Sequence, residues 1–386
     1  MDPFLRDLRY ALRTLAKAPS FTAVAVLTLA LGIGATTTIF SVVNAVLLRP
    51  LPYPEAGRLV VLWETIRRES VQRRSVSYPN FDDWRAQASS FEQLAASSGS
   101  GFVLTGGCAQ ATSACEPERL AGELVTAGYF PLLGARAAVG RALRAEDDAA
   151  GADPVVVISD ALWRRRFGGD PSAVGRAVAV DGKPATIVGV MPPAFRGLSD
   201  NADVWAALSG PTAGTGTAEQ LRERGSRWLQ VIARLRPGVT AERAQAEMDA
   251  VAARLSAAFP ESNSNRGAVV VPLSEELFGG VRRGLLVLLG AVGFVLLIAS
   301  ANVANLLLAR AAGRQREMAL RSALGATRLR LARQLLAEGV VLALAGAAAG
   351  ALLAVWGVEL LATLNPVSLP SFVRPRVDGA ALAAAL

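Results

Sequence analysis

Uncharged apolar residues run unbroken along this chain in three places, Ser20–Leu48, Gly284–Ala309 and Gly339–Val358. Each stretch reaches the roughly 20 residues that an α-helix needs to cross a hydrocarbon core about 30 Å thick. Residues 49–283 are mixed and soluble-looking, whereas the interval between the second and third stretches is short and packed with arginine. The pattern is one crossing, a large external region, then closely spaced crossings. A secretory h-region is only about 7–15 residues long and ends at a small-residue cleavage site. The first stretch has 29 uncharged residues and a charged lead, so it reads as an anchor. As a helix it would be about 43 Å long, enough for its outer end to project beyond the lipid.

Ahead of it, Phe4, Leu5, Leu8, Leu12 and Leu15 recur at helical spacing with Arg6, Arg9 and Arg13 among them. That spacing predicts an amphipathic helix on the inner membrane face, separated from the first span by Pro19. In the external region Leu59–Trp63 reads as a strand, Pro79–Gln87 as a short helix, and Val155–Ser159 as a buried strand with a helix to Phe167. Asp181–Gly182 is a hairpin signal between Ala177–Val180 and Thr186–Val190. The last unit is the clearest. Leu229–Leu235 predicts a strand, Thr240 an N-cap, and Ala244, Met248, Val251, Ala252, Leu255 and Phe259 one helix face before a strand at Val269–Val271. Such a helix must pack on a sheet, so the region is α+β or α/β. Gly210–Thr217 reads as a loop or subdomain boundary. Beyond the second span, Arg310–Ala323 is helix-compatible, Gly325 can cap it, and Thr327 can open a helix from Arg328 to Glu338. Asn365–Pro366 and Pro370 end the third span, and Ala380–Leu386 after Asp378 reads as the start of a fourth.

The chain has 386 residues, is 52% hydrophobic and carries a net charge of +8. That charge would suit nucleic acid, but its placement argues against it. Arg6, Arg9, Arg13 and Lys17 precede the first span, and Arg310, Arg314, Arg316, Arg321, Arg328, Arg330 and Arg333 lie between the second and third. Short basic flanks stay inside, so the N-terminus is expected in the cytoplasm and the large region outside. Arg282 and Arg283 oppose this, two against eleven. Cys108 and Cys115 then fall outside, where a disulfide can persist. The pair is read as a bridge, the alternative being two free thiols in a flexible loop.

The sequence contains no histidine, which excludes Ser-His-Asp and Cys-His catalysis and HExxH zinc sites. It has no G-x-x-x-x-G-K-[ST] stretch, so it is not itself a P-loop ATPase. Asp82–Asp83 and Asp147–Asp148 read as solvated caps rather than acid/base pairs. The spans hold no Asp, Glu, Lys or Arg, the groups that ion-driven transport keeps at membrane depth. They do hold Gly346-Ala-Ala-Ala-Gly350, a pattern permitting close helix approach, and Asn302 and Asn305, candidate interhelical hydrogen-bond donors.

Arg316-Glu-Met-Ala-Leu-Arg-Ser-Ala-Leu-Gly-Ala-Thr-Arg328, continuing through Arg330 and Arg333-Gln-Leu-Leu, resembles the FtsX/MacB family of ABC-transporter permeases. Further matches are Ile298–Arg310, Asp7–Leu15, Leu29–Gly34, Leu48-Arg-Pro-Leu-Pro-Tyr53, Tyr129-Phe130, Leu162–Asp170, Val188-Gly-Val-Met-Pro-Pro193 and Arg234-Leu-Arg-Pro-Gly-Val239. The likeness covers nearly the whole chain and is nearest to duplicated permeases of the acidobacterial type, of which this chain resembles the N-terminal half, stopping in its fourth span. The resemblance implies an α-helical membrane protein with a large α+β extracytoplasmic MacB-like core domain. The expected organisation is a cytoplasmic amphipathic helix at 1–19, spans at 20–48, 283–309 and 339–358, the core domain at 49–282 and a coupling segment at 310–338. An external loop at 359–377 and the start of a fourth span at 378–386 complete it.

It further implies a permease subunit of an efflux or envelope-remodelling transporter, not an enzyme, in the bacterial inner membrane with its large domain periplasmic. A separate cytoplasmic ATPase would hold the ATP and dock on the coupling segment, where Arg316, Glu317, Arg321, Gly325, Arg328 and Arg330 match the family's coupling helix. A second permease unit, membrane lipids and periplasmic or outer-membrane components are the other expected partners. The alternative is an ATPase-independent scaffold or sensor whose external domain binds an envelope partner. Topology is directly testable. With Cys108 and Cys115 replaced by serine, an impermeant thiol reagent on intact cells is expected to label Gly214→Cys and spare Gly313→Cys. Labelling at 313 would reverse the assignment.

Overall fold

The computed structural model describes residues 3–66, 73–106, 116–149, 151–193, 195–213, 217–313 and 328–364. Its helices are α1 (Pro3–Ala16), α2 (Pro19–Val43), α3 (Tyr78–Gln87), α4 (Tyr129–Leu132), α5 (Asp160–Phe167), α6 (Thr217–Gln220), α7 (Ala241–Ala258), α8 (Pro260–Asn263), α9 (Leu273–Gly313) and α10 (Arg328–Leu364). The strands are β1 (Leu59–Ile66), β2 (Val76–Ser77), β3 (Phe91–Thr105), β4 (Glu118–Val125), β5 (Val139–Gly140), β6 (Val155–Ile158), β7 (Ala177–Val180), β8 (Lys183–Val190), β9 (Val204–Ala207), β10 (Arg227–Leu235) and β11 (Arg266–Pro272). Two compact units result, Leu51–Leu277, called here the core domain, and Met1–Pro50 with Phe278–Leu386.

The core domain is built on one mixed sheet ordered β11-β1-β10-β3-β4-β9-β6-β8-β5. Its central strands are buried on both faces. Val60 and Leu62 of β1, Val231 and Ala233 of β10, and Val156 and Ile158 of β6 enter one hydrophobic cluster. Their neighbours Leu59, Val61, Ile232, Val155 and Val157 enter another. Two-sided burial explains why these strands are continuous apolar runs without alternation. The first cluster is covered by α3, α5 and α7, through Phe81 and Trp84, Leu162 and Phe167, and Met248 and Val251.

Local chemistry accounts for several elements. Ser77 and Ser159 cap α3 and α5 by accepting from Asn80 N and Leu162 N, and Gly168 ends α5 at φ 67°. Asp181 and Gly182, at φ 50° and 76°, make the two-residue turn between β7 and β8. Thr240 accepts from Arg243 N at the start of α7, whose Ala244, Met248, Val251, Ala252 and Leu255 are buried. Phe259 departs from that face. It sits just past the helix end, exposed, with the Arg224 guanidinium 3.7 Å from its ring centroid. On the outer edge of β11, the Gln245 amide donates to Ala268 O at 2.8 Å and accepts from Val270 N at 2.8 Å. A side chain thus stands where another strand could pair, protecting the edge.

Strand β3 carries Ser97-Ser-Gly-Ser-Gly101, and the sequence pattern did not predict it. Its first half pairs with β10 and its second with β4 and β7. Pairings β3–β4, β4–β9, β9–β6, β6–β8, β8–β7 and β7–β3 close a circuit of strands. Closure demands tight passage at Gly122 of β4, where a Cβ would lie 2.4 Å from Val204 O and 2.5 Å from the Phe102 ring. Backbone cannot yield as a flexible side chain can. Gly122→Ala is therefore expected to cost about 1–3 kcal/mol, read as a lower unfolding temperature of the full chain and faster amide exchange in β4. Gly99→Ala, with nothing within 4 Å, is the control and should leave both nearly unchanged.

In the other unit, the helical stretches Pro19–Leu48, Leu273–Gly313 and Leu336–Leu361 are long and apolar enough to cross a membrane. Pro19 occupies the first turn of α2, where its missing N–H is harmless. A π-type turn at Asn44–Leu48 follows α2. The hydroxyls of Thr36, Thr38 and Ser41 donate to Gly32 O, Gly34 O and Thr37 O within α2, so these three polar side chains find partners one turn back. The fold is thus three long apolar helices plus a mixed α+β domain.

Candidate functional site

The second hydrophobic cluster of the core domain gathers both of its chain ends. Leu51 and Tyr53, at its entry, pack there with Leu273 and Leu277, which open α9. Around them lie Tyr129, Phe130, Leu132 and Leu133 from α4 and its end, Met191, Phe195 and Trp205. The rings interlock, with Phe195–Trp205 centroids at 5.4 Å and Phe130–Trp205 at 6.0 Å near perpendicular. Four stretches far apart in sequence, 48–53, 129–130, 188–193 and 234–239, all contribute here or border it.

A buried guanidinium fixes the entry segment. Arg234 of β10 is 7% exposed and donates to Pro54 O at 2.9 Å and Leu132 O at 2.5 Å, with Glu55 Oε2 at 3.5 Å. The carbonyls it satisfies belong to the chain entry and to α4, so one side chain ties both to the central sheet. Arg58 reinforces this by donating to Leu235 O at 2.8 Å and pairing with Glu55 and Glu92.

A buried carboxylate fixes the far side. Glu123 of β4, 2% exposed, accepts from Tyr129 Oη at 2.7 Å, Trp205 Nε1 at 2.9 Å and Ser199 N at 2.7 Å. Tyr129 Oη in turn accepts from Leu198 N at 2.7 Å. Burial first, then the Glu123 charge, raises the Tyr129 phenol well above its ordinary pKa, so it stays a neutral donor. Tyr53 is pushed up to about 12, by burial and then by the charges of Asp200 and Glu123. At the exit, Glu276 in the first turn of α9 accepts from Trp63 Nε1 at 3.1 Å and from Arg73 at 2.8 Å. Acidic side chains at a helix N-terminus also complement its dipole.

These groups hold one another and fix the chain's entry to and exit from the domain on one cluster. Among the described residues, no group of three or more His, Cys, Asp or Glu is placed to hold a metal ion. Arg316, Glu317, Arg321 and Gly325 lie outside the described residues, as do Cys108 and Cys115. Arg328 and Arg330 fall in the first turn of α10. Gly346 and Gly350 face α2, where a Cβ on each would come within 2.6 Å of Leu29 Cβ and 2.9 Å of Ile33 Cβ. Asn302 and Asn305 are exposed on α9, while Ala299 and Val303 of that helix are buried.

In the sequence, Tyr129-Phe130 and Arg234-Leu-Arg-Pro-Gly carry a family likeness but no evident role. The available signal was an arginine inside the apolar run Val231-Ile-Ala-Arg-Leu235, a position that requires buried acceptors. Arg234→Leu keeps bulk and strands two carbonyls. It is expected to lower the stability of the full chain by about 2–4 kcal/mol, measured by denaturant unfolding with Trp fluorescence, and to speed amide exchange around α4. Arg236→Leu, whose guanidinium meets Ser89 O in an exposed setting, should do far less.

Residues 22–251 match the MacB-like periplasmic core domain family, and residues 289–386 match the FtsX-like permease C-terminal region. The chain is 27% identical over 230 residues to the macrolide export ATP-binding/permease protein MacB of Chromobacterium violaceum, covering 59% of this chain and 34% of that protein. It is 26% identical over 229 residues to the protein of the same name in Burkholderia pseudomallei, covering 58% and 33%. The chain thus spans about a third of the length of these curated relatives, and their ATP-binding part lies outside the matched stretch. Among solved structures it is similar to the periplasmic region of MacB from Actinobacillus actinomycetemcomitans (15% identity, TM-score 0.40, 58% of this chain and 93% of that one). It is also similar to the extracellular domain of the noncanonic ABC-type transporter YknZ from Gram-positive bacteria (14%, TM-score 0.39, 55% and 99%). With well over half its length in the first family match, the chain belongs to the FtsX/MacB-like ABC permeases, as a membrane protein with a MacB-like periplasmic core domain and an FtsX-like permease region.

Proposed function

We propose that this permease transmits work done in the cytoplasm to its periplasmic domain, in an efflux or envelope-remodelling machine, without passing substrate through the lipid. The observation that carries this is the shared anchoring of Leu51, Tyr53, Leu273 and Leu277 in one cluster, locked by Arg234. Force arriving along either chain segment loads the same buried sheet. A hinge-and-linker attachment would dissipate it.

In this reading the energy comes from ATP bound to a separate cytoplasmic ATPase, since the chain carries no Walker-type phosphate loop. The ATPase docks on residues 310–338, placed inside with the N-terminus by the basic flanks. Likeness to proteins named for macrolide export supports outward work, and the motif set supports kinship with duplicated permeases. A second permease unit is the proposed neighbour of the exposed α9, where Asn302 and Asn305 would find partners. Membrane lipids and periplasmic or outer-membrane components complete the set of partners, and the Cys108–Cys115 bridge is retained as a proposal.

The seven arginines from Arg310 to Arg333 would cost roughly 20 kcal/mol to bury, at about 3 kcal/mol each, and so hold the segment inside whatever their order. Docking depends instead on shape. In the helix that the sequence predicts there, Glu317 and Arg321 would be one turn apart and able to pair, and Gly325 would permit a left-handed bend. Gly325→Val and Glu317→Arg are expected to insert normally yet lose a co-expressed ATPase in pull-downs. Retention at wild-type levels would leave only a topology signal and favour the ATPase-independent scaffold.

A further inference from the structure

The last turn of a helix leaves carbonyls without intrahelical partners. In α1 three of them have partners from outside the helix. Arg13 O accepts from Lys17 N at 3.2 Å, and Leu15 O accepts from Ala18 N at 3.1 Å and from the Thr22 hydroxyl at 2.8 Å. The acceptor between them, Thr14 O, takes its proton from Arg310, whose guanidinium reaches it at 2.9 Å from the far end of α9. The same guanidinium lies over the Phe21 ring, 4.5 Å from its centroid, at the start of α2. A cation at a helix C-terminus complements the dipole there.

Packing repeats this connection. Leu15, Ala25, Val303 and Leu342, from α1, α2, α9 and α10, form one buried cluster with Phe21 and Leu307 against it. Ala11 and Thr14 are buried on the same side of α1, while Leu12 is 52% exposed. A helix held only by lipid headgroups would have no protein-covered face. Ala337 and Glu338 are buried in α10. The helices that bracket residues 314–327, α9 before and α10 after, therefore both meet α1.

We infer that Arg310 is a positioning residue, fastening the N-terminal helix to the end of α9 so that α1 and the adjoining ends of α9 and α10 offer the ATPase a single cytoplasmic surface. This rests on the ATPase reading above. Charge alone suffices for topology, but Arg310 also directs one N–H to a carbonyl while laying its flat face over a ring. Lysine supplies the charge without the second contact.

The test uses the full chain in lipid nanodiscs, with Cys108 and Cys115 replaced by serine. Alkylation of Ala11→Cys by N-ethylmaleimide is compared with that of Leu12→Cys. With Arg310 present, position 11 should react far more slowly than position 12. Loss of one charge-assisted hydrogen bond predicts opening of α1 favoured about 10-fold or more, so Arg310→Ala should bring position 11 close to the rate at position 12. Arg310→Lys should fall between. Phe21→Leu, which keeps apolar bulk and every charge, should also fall between and guards against misfolding of the Arg310 variants. In a parallel pull-down, Arg310→Ala should retain several-fold less ATPase than wild type, with partial rescue by lysine. Continued protection of position 11 in Arg310→Ala overturns the fastening. Release of position 11 with full ATPase retention overturns the role in docking. If wild type itself retains no ATPase, the broader reading fails, and the docking role with it, while the alkylation arm still reports on the fastening.

Discussion

Burial on both faces of the central sheet constrains everything else in the core domain. Strands β1, β6, β9 and β10 have no solvent side, so whatever joins them to the rest of the chain must cross one of two apolar clusters. The helices α3, α5 and α7 cover one cluster. The chain's own entry and exit pass through the other, and polar groups drawn in with them cannot be left unpaired. Arg234 and Glu123 answer that demand. Each is nearly inaccessible, and each satisfies groups from elements distant in sequence. Removing either leaves unmatched acceptors or donors in an apolar setting, which costs more than the bonds contribute when made.

The elements legible in the sequence were those whose own residues determine them. The β10–α7–β11 unit has a capping threonine and a helix face with clean spacing, and the β7–β8 hairpin has two residues suited to left-handed backbone. Strand β3 was illegible for the opposite reason. Its serines and glycines have low strand propensity, and it forms because β10 on one side and β4 and β7 on the other complete its hydrogen bonds. Phe259 looked like one more apolar position on a periodic face. The helix ends before it, and the ring instead supports Arg224. The site shows the same division. Its motifs could be recognised, but their convergence on one cluster is a property of the sheet order, which no local window contains.

The helical unit obeys different energetics. Lipid tails are as apolar as leucine, so association rests on close packing and on hydrogen bonds rather than on burial. Small residues supply the first. Gly34 sits where a Cβ would come within 3.0 Å of Leu353 Cβ, and Gly357 where one would come within 2.8 Å of Thr38 Oγ1. Threonines supply the second, since Thr36 also reaches Val292 O at 3.3 Å and Thr38 reaches Ala354 O at 3.5 Å. Composition made these helices easy to find because length and hydropathy suffice for that. Which glycines matter follows only from which helices meet.

Arginine shows how far a count of charges falls short of a mechanism. The +8 balance first suggests a polyanion partner, and the positions of the basic residues redirect that to membrane topology. The structure then separates individual residues that the count treats alike. Arg234 is buried among carbonyls in the core domain, whereas Arg310 caps a helix and stacks on a ring. Lysine would replace only part of what either residue does, because each uses the guanidinium's fixed donors or its flat face as well as its charge. A composition dominated by arginine over lysine, with Lys17 and Lys183 the only lysines, is consistent with a chain that uses its cations for geometry as well as for sign.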